Sequence, residues 1–196
     1  MIILKKIFFK IRNDDLIRGS IILFFMIALF NVLNYVFQIT MANMLGPSDY
    51  GILAVLMSIM YIFGIPGEAI QTIVSRYTSK FNAKKEFGKI KDLFIRSVRK
   101  SLIFSFFLFV IFSAASLIFV SYFLKIKLHL LIITGLLIVT SFILPLSRGV
   151  LQGRKKFVAF GFNLITDAGL KIIFGVILVL MGFGAGGGIT AVVIST

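Results

Sequence analysis

The sequence predicts an all-α, polytopic transmembrane helix bundle, with about five full spans and the start of a sixth. Two observations carry that prediction. Of the 196 residues 59% are hydrophobic, against roughly 45–50% in a soluble domain. The excess falls in blocks of about 20 residues, the length that crosses a hydrocarbon core of ~30 Å at ~1.5 Å per residue. The second observation is charge placement. Basic residues number 21 and acidic ones seven, and the basic ones crowd into alternate connections between the apolar blocks.

The opening stretch MIILKKIFFKIRNDD alternates apolar clusters with lysines, so residues 1–17 read as an amphipathic segment lying at the cytoplasmic membrane surface. A signal peptide is excluded because the apolar stretch that follows runs for about 24 residues, where a signal h-region has roughly 7–15. Spans are expected at about 18–41 and 51–73, joined by a tight hairpin at NMLGPSDYG, whose Gly46-Pro47 and Ser48-Asp49 are turn chemistry. A kink is expected where GIPGE interrupts the second span, since Pro66 removes a backbone donor. Residues 75–100 carry nine basic and two acidic residues, too polar to span. Phe81, Phe87, Ile90 and Phe94 leave room there for an amphipathic surface helix. Spans at about 101–123 and 128–147 follow, turned by KIK, then a basic loop at 148–156 and a fifth span at about 157–182. GFGAGGG reads as a turn, and a sixth span, 188–196, ends after about nine residues. A helix cannot end open in hydrocarbon with its backbone unpaired, so this chain is expected to be either the front part of a longer protein, with a further C-terminal helical bundle from the same gene or a partner chain, or a truncated gene product.

Charge counted by side is eighteen basic residues against two: five through Arg18, nine in 75–100 and four in 148–156 on one side, Lys125 and Lys127 on the other. The positive-inside rule then places the N-terminus and both long basic loops in the cytoplasm of a multi-pass plasma-membrane protein. The same placement assigns the charge to topology and lipid headgroups, and argues against nucleic acid. There is no cysteine and one histidine, His129, so no disulfide, thiolate site or histidine-based metal site can form, and no cofactor is expected.

Polar residues inside the spans recur at helical spacing: Asn31, Asn34 and Gln38; Tyr61, Gly64, Glu68, Gln71 and Ser75; Asn163, Asp167 and Lys171. Such stripes are costly against lipid, so they should face one another around a polar cavity among the first, second and fifth spans. Asp167 and Lys171, four apart, are placed to pair on one face near the midplane. That pair reads either as a structural lock between helices or as the lining of a transport pathway. Glu68 and Asp167 are the ion-coupling candidates. Arg76 and Arg148, at cytoplasmic helix ends, are either topology anchors or bidentate donors to a phosphate group. No hydrolytic triad, metal cluster or nucleotide-binding loop is present, so the chain does not read as an enzyme.

Two stretches, NVLNYVFQITMANMLGPSDYGILAVLMSIM with GEAIQTIVSRYTSKF, and SRGVLQGRKKF with GLKIIFGVILVLMGFGAGG, resemble the first helices of polysaccharide-export flippases. These are the O-antigen and teichoic-acid type within the multidrug/oligosaccharidyl-lipid/polysaccharide exporter superfamily. LGPSDYG is the most specific piece, and the resemblance covers residues from about 18 to 196. It implies the N-terminal bundle of a MATE-like flippase. Such a protein has two pseudo-twofold helical bundles around a central cavity and flips a polyprenyl-diphosphate-linked glycan by alternating access. Carried onto this sequence, it implies that Arg76 and Arg148 meet the lipid diphosphate, that Asn34, Gln38 and Gln71 bond sugar hydroxyls, and that Lys171, Asp167 and Glu68 bind the headgroup or couple an ion. Competing readings are a cation-coupled drug efflux carrier of the same superfamily, a membrane-embedded glycosyltransferase, and a structural membrane subunit. The efflux carrier should have a net acidic cavity. The glycosyltransferase lacks an outer loop able to hold a catalytic acid beyond Asp49.

Overall fold

The computed structural model describes residues 15–117 and 128–196 and, among these, is helical throughout with short turns. Residues 1–14 of the expected interfacial segment 1–17, and the KIK turn with Lys125 and Lys127, lie outside the described residues, while residues 15–17 open the first helix. Helix runs over Asp15–Ala83 and leaves helical geometry at Gly46 (φ 70°, ψ 173°), giving two limbs, α1 (15–45) and α2 (47–83). Then come α3 (Phe87–Ala115), α4 (Leu128–Gly153), α5 (Phe157–Leu180) and α6 (Gly184–Ser195). Arg18–Ala83, Phe87–Ala115, His129–Gly153 and Phe157–Leu180 are each long and apolar enough to cross a membrane. The first, at 66 residues, reaches ~100 Å, enough for two crossings.

The hairpin between the first two spans narrows to one residue. Gly46 takes the positive φ that a residue with Cβ avoids, and Pro47 then occupies a first helical position, where its missing N–H is no loss. The limbs fold back on each other: the Tyr50 hydroxyl donates to Gln38 Oε1 at 3.2 Å, and Gln38 Nε2 reaches Met57 Sδ at 3.5 Å. At Pro66 the backbone keeps helical geometry, so the chain is not interrupted there. Two of the expected features between and within these helices need correction, at residues 75–100 and at the glycine-rich stretch. Residues 75–100 form no separate surface helix, because α2 continues to Ala83 and α3 begins at Phe87. The glycine-rich stretch is helical from Gly184. Its glycines serve packing: a Cβ on Gly188 would fall 2.8 Å from Leu53, and one on Gly187 2.9 Å from the Leu178 backbone.

Both ends of the bundle can be identified from contacts. Arg154 lies 5.9 Å from the Phe87 ring, so the turns 84–86 and 154–156 share one end. The Asp49 carboxylate lies against Gly184, which joins the Gly46 break and the turn 181–183 at the other. A core of Phe37, Met41, Leu53, Leu56, Leu131 and Ile189, drawn from α1, α2, α4 and α6, packs toward that second end. Around the outside stand exposed apolar side chains such as Phe24, Phe25, Leu29, Ile103, Phe106 and Phe107, as hydrocarbon requires.

Candidate functional site: a polar cavity among α1, α2, α4, α5 and α6

On α2, the spacing Gly64, Glu68, Gln71 keeps one face of the helix narrow and polar. α1 sets Asn31 and Asn34 opposite it. α4 adds Thr140, Ser141, Arg148 and Gln152, α5 adds Asp167 and Lys171, and Thr196 follows α6. Together they line an open-sided cavity of about 620 Å³ with Met57, Met60 and Leu144 among its apolar walls. Of the side chains singled out in the sequence, Asn34, Glu68, Gln71, Arg148, Asp167 and Lys171 line it. Gln38 does not, being held by Tyr50 and Met57. Arg76 is exposed and outside the lining. Five residues beyond Gln71, it has turned ~140° around the helix.

The cavity is tied across helices by polar bonds. Arg148 on α4 donates from Nε to Asn163 Oδ1 at 2.9 Å and from Nη2 to Asp167 Oδ2 at 2.8 Å. Lys171 on α5 donates to Asn34 Oδ1 on α1, whose Nδ2 donates in turn to the Phe30 carbonyl at 2.8 Å. Gln71 on α2 donates to Gln152 Oε1 on α4 at 3.3 Å. The expected pair within α5 is therefore corrected: Asp167 bonds Arg148, and Lys171 does not reach it. The reason is geometric. A guanidinium presents donors in a planar fork that can satisfy a carboxylate and an amide together. The Lys171 ammonium instead lies 5.2 Å over the Phe37 ring, a placement that cation–π attraction favours.

Two side chains in these inter-helix bonds, Gln152 and Asn163, were not singled out as site residues in the sequence. Gln152 follows Arg148 by four, on the same face, so the i, i+4 rule applied to the end of the fourth span would have found it. Asn163 stood in a polar stripe, yet its bond to Arg148 depends on how α4 and α5 cross. Among the described residues no group of three or more His, Cys, Asp or Glu is placed to hold a metal.

Helices of spanning length around a polar, ion-paired cavity define the class: a polytopic membrane protein with an intramembrane polar site. Within that class the fold matches one solved structure closely. It is described as the outward-facing conformation of a multidrug resistance MATE family transporter of the MOP superfamily, at a TM-score of 0.75 and 18% identity. The match covers 92% of this chain and 42% of that one, so the chain spans less than half the length of its structural neighbour. No protein-family model and no curated protein matches the sequence. The architecture is thus MATE-like.

Proposed function

We propose that the chain forms the first helical bundle of an alternating-access transporter for an anionic amphipathic substrate, a polyprenyl-diphosphate-linked oligosaccharide. The observation that carries this reading is Lys171. It is 7% exposed and lines the cavity, and its hydrogen-bond partner is a neutral amide, because Asp167 is already engaged by Arg148. Arg148 and Lys171 stand against Asp167 in the less exposed part of the wall, while Glu68, the second carboxylate of the lining, is exposed; the inner wall alone therefore carries a cationic surplus, which favours a diphosphate. Asn34, Gln71 and Gln152 supply amide groups of the kind that bond sugar hydroxyls. Arg76, outside the cavity, takes no part in this reading. A second bundle, from the same gene or a partner chain, would close the open side.

A second reading, cation-coupled drug efflux, rests on Glu68. Its carboxylate lines the cavity, is exposed, and makes no ion pair among the described residues. Proteoliposomes of the complete transporter separate the two. Lys171→Ala is expected to slow flipping of a fluorescent lipid-linked sugar by about tenfold or more, the loss of one charge-assisted bond, with Lys171→Arg partly restoring it. Unchanged flipping in Lys171→Ala would sink the first reading. Efflux of a cationic dye that fails in Glu68→Gln and tolerates Lys171→Ala would establish the second.

A further inference from the structure

The back of the bundle carries a separate hollow of about 290 Å³ between α2, α3 and α4. Its apolar floor includes Ile70, Ile73, Phe104 and Phe142, and its mouth is Ser97, Lys100 and Ser101. At ~100° per residue, Ile70 and Ile73 lie on the face of α2 roughly opposite Glu68 and Gln71, so this hollow points away from the polar cavity. Phe104 rests edge-on against Phe142, ring centroids 5.5 Å apart at 79°.

Polarity within the hollow is ordered along one stripe of α3. Ser97, Lys100 and Ser101 come first, and Phe104 follows one turn later, so the lining passes from charged to apolar over ~10 Å. Lys100 is exposed and makes no ion pair among the described residues. Arg96 and Arg99 precede it within one turn in sequence, and no carboxylate lines the hollow. Beyond Lys100, α3 exposes Leu102, Ile103, Phe106, Phe107 and Val110, side chains that belong in hydrocarbon. Lys100 therefore marks headgroup level on the basic side of the bundle, where a lysine reaches toward the interface.

We infer that this hollow binds one anionic phospholipid of the leaflet on the basic side. Lys100 and the Ser97 hydroxyl take the phosphate, and an acyl chain lies against Ile73 and Phe104. The occupant follows from charge complementarity, since the mouth is cationic and the floor apolar, as a lipid's two parts require.

The sequence contains no tryptophan, so Ile73→Trp, at a position 56% exposed, installs a single indole in the hollow. In the full chain, reconstituted in phosphatidylcholine vesicles, brominated phosphatidylglycerol at a small mole fraction is expected to quench it. The effect should be about fivefold stronger than that of brominated phosphatidylcholine at the same fraction. Lys100→Gln should abolish the preference, while Lys156→Gln should leave it. Native mass spectrometry of the chain without the indole, from detergent with both lipids added, should show phosphatidylglycerol retained and Lys100→Gln losing it. Equal quenching by the two lipids, or a preference that survives Lys100→Gln, would overturn the site. So would displacement of the brominated lipid by excess inorganic phosphate, which would leave a phosphate site without a chain-binding floor.

Discussion

Asp167 has Arg148 from the neighbouring helix and Lys171 from its own turn as possible partners, and bonds the first. Both side chains of that pair are about 15% exposed (15% and 14%), so removing one strands a nearly buried charge. Asp167→Ala and Arg148→Ala should each lower the unfolding free energy by about 3 kcal/mol. The double variant should recover part of that loss, because it leaves neither charge behind. Thermal unfolding of the detergent-purified chain measures both; additive losses would mean that the bond contributes nothing of its own. Lys171 behaves differently, since Asn34 and the Phe37 ring hold it without neutralising it.

The connections between helices repeat one device. After α2, Lys85 N–H bonds the Asn82 carbonyl and Glu86 N–H the Phe81 carbonyl; after α4, Lys155 and Lys156 bond Gln152 and Leu151 in the same way; after α5, Gly182 and Phe183 bond Val179 and Leu178. This is the paired bonding of a Schellman turn. The residue that turns left-handed is glycine at one end of the bundle (φ 87°) and lysine at the other (φ 58° and 59°). The basic end thus accepts strain of about 1 kcal/mol at each lysine and gains a cation at a helix C-terminus, where the dipole favours it. Lys155→Gly should raise the midpoint of thermal unfolding by about 2–4 °C, and an unchanged or lower midpoint would mean that the charge outweighs the backbone. Packing between α2 and α4 rests on a different pattern, GVLQG, which places Gly149 and Gly153 one turn apart. A Cβ on Gly149 would fall 2.8 Å from the Gln71 carbonyl, and one on Gly153 2.6 Å from that of Ser75. Small residues allow this approach between membrane helices. Gly149→Ala should cost about 1–3 kcal/mol, whereas Gly51→Ala, with nothing within 4 Å, should not destabilise.

For the whole molecule, the two ends identified by contact also differ in charge. Lys84, Lys85, Lys89, Arg154, Lys155 and Lys156 gather at one, and Asp49 stands at the other. Orientation follows as an expectation from positive-inside bias. The sequence has no cysteine, so single cysteines report side without background. Lys155→Cys should label with an impermeant maleimide only in inside-out vesicles, and Met181→Cys only in right-side-out cells. The reverse pattern would invert the bundle, and labelling of both from one side would break the alternation of spans.

Helix class, approximate span positions and the polar stripes were legible in the sequence, because hydrocarbon forces backbone bonds to close within each segment and makes every buried charge conspicuous. Glu68, Gln71, Asn34, Asp167 and Lys171 stood out on that ground and Arg148 as a cation at a helix end; the structure sets these six around one cavity and leaves Gln38 and Arg76 outside it. What periodicity cannot carry is the crossing of helices far apart in the chain. Lys171 and Asn34 are 137 residues apart and Gln71 and Gln152 are 81, so no local rule pairs them. The same holds for Asp167: four-residue spacing offered it Lys171, and the approach of α4 to α5 gave it Arg148. The solvent thus determined the helices, their stripes and their charged ends from sequence alone. The close packing of glycine against backbone decided which stripes meet, which charges neutralise each other and which cation is left facing the cavity.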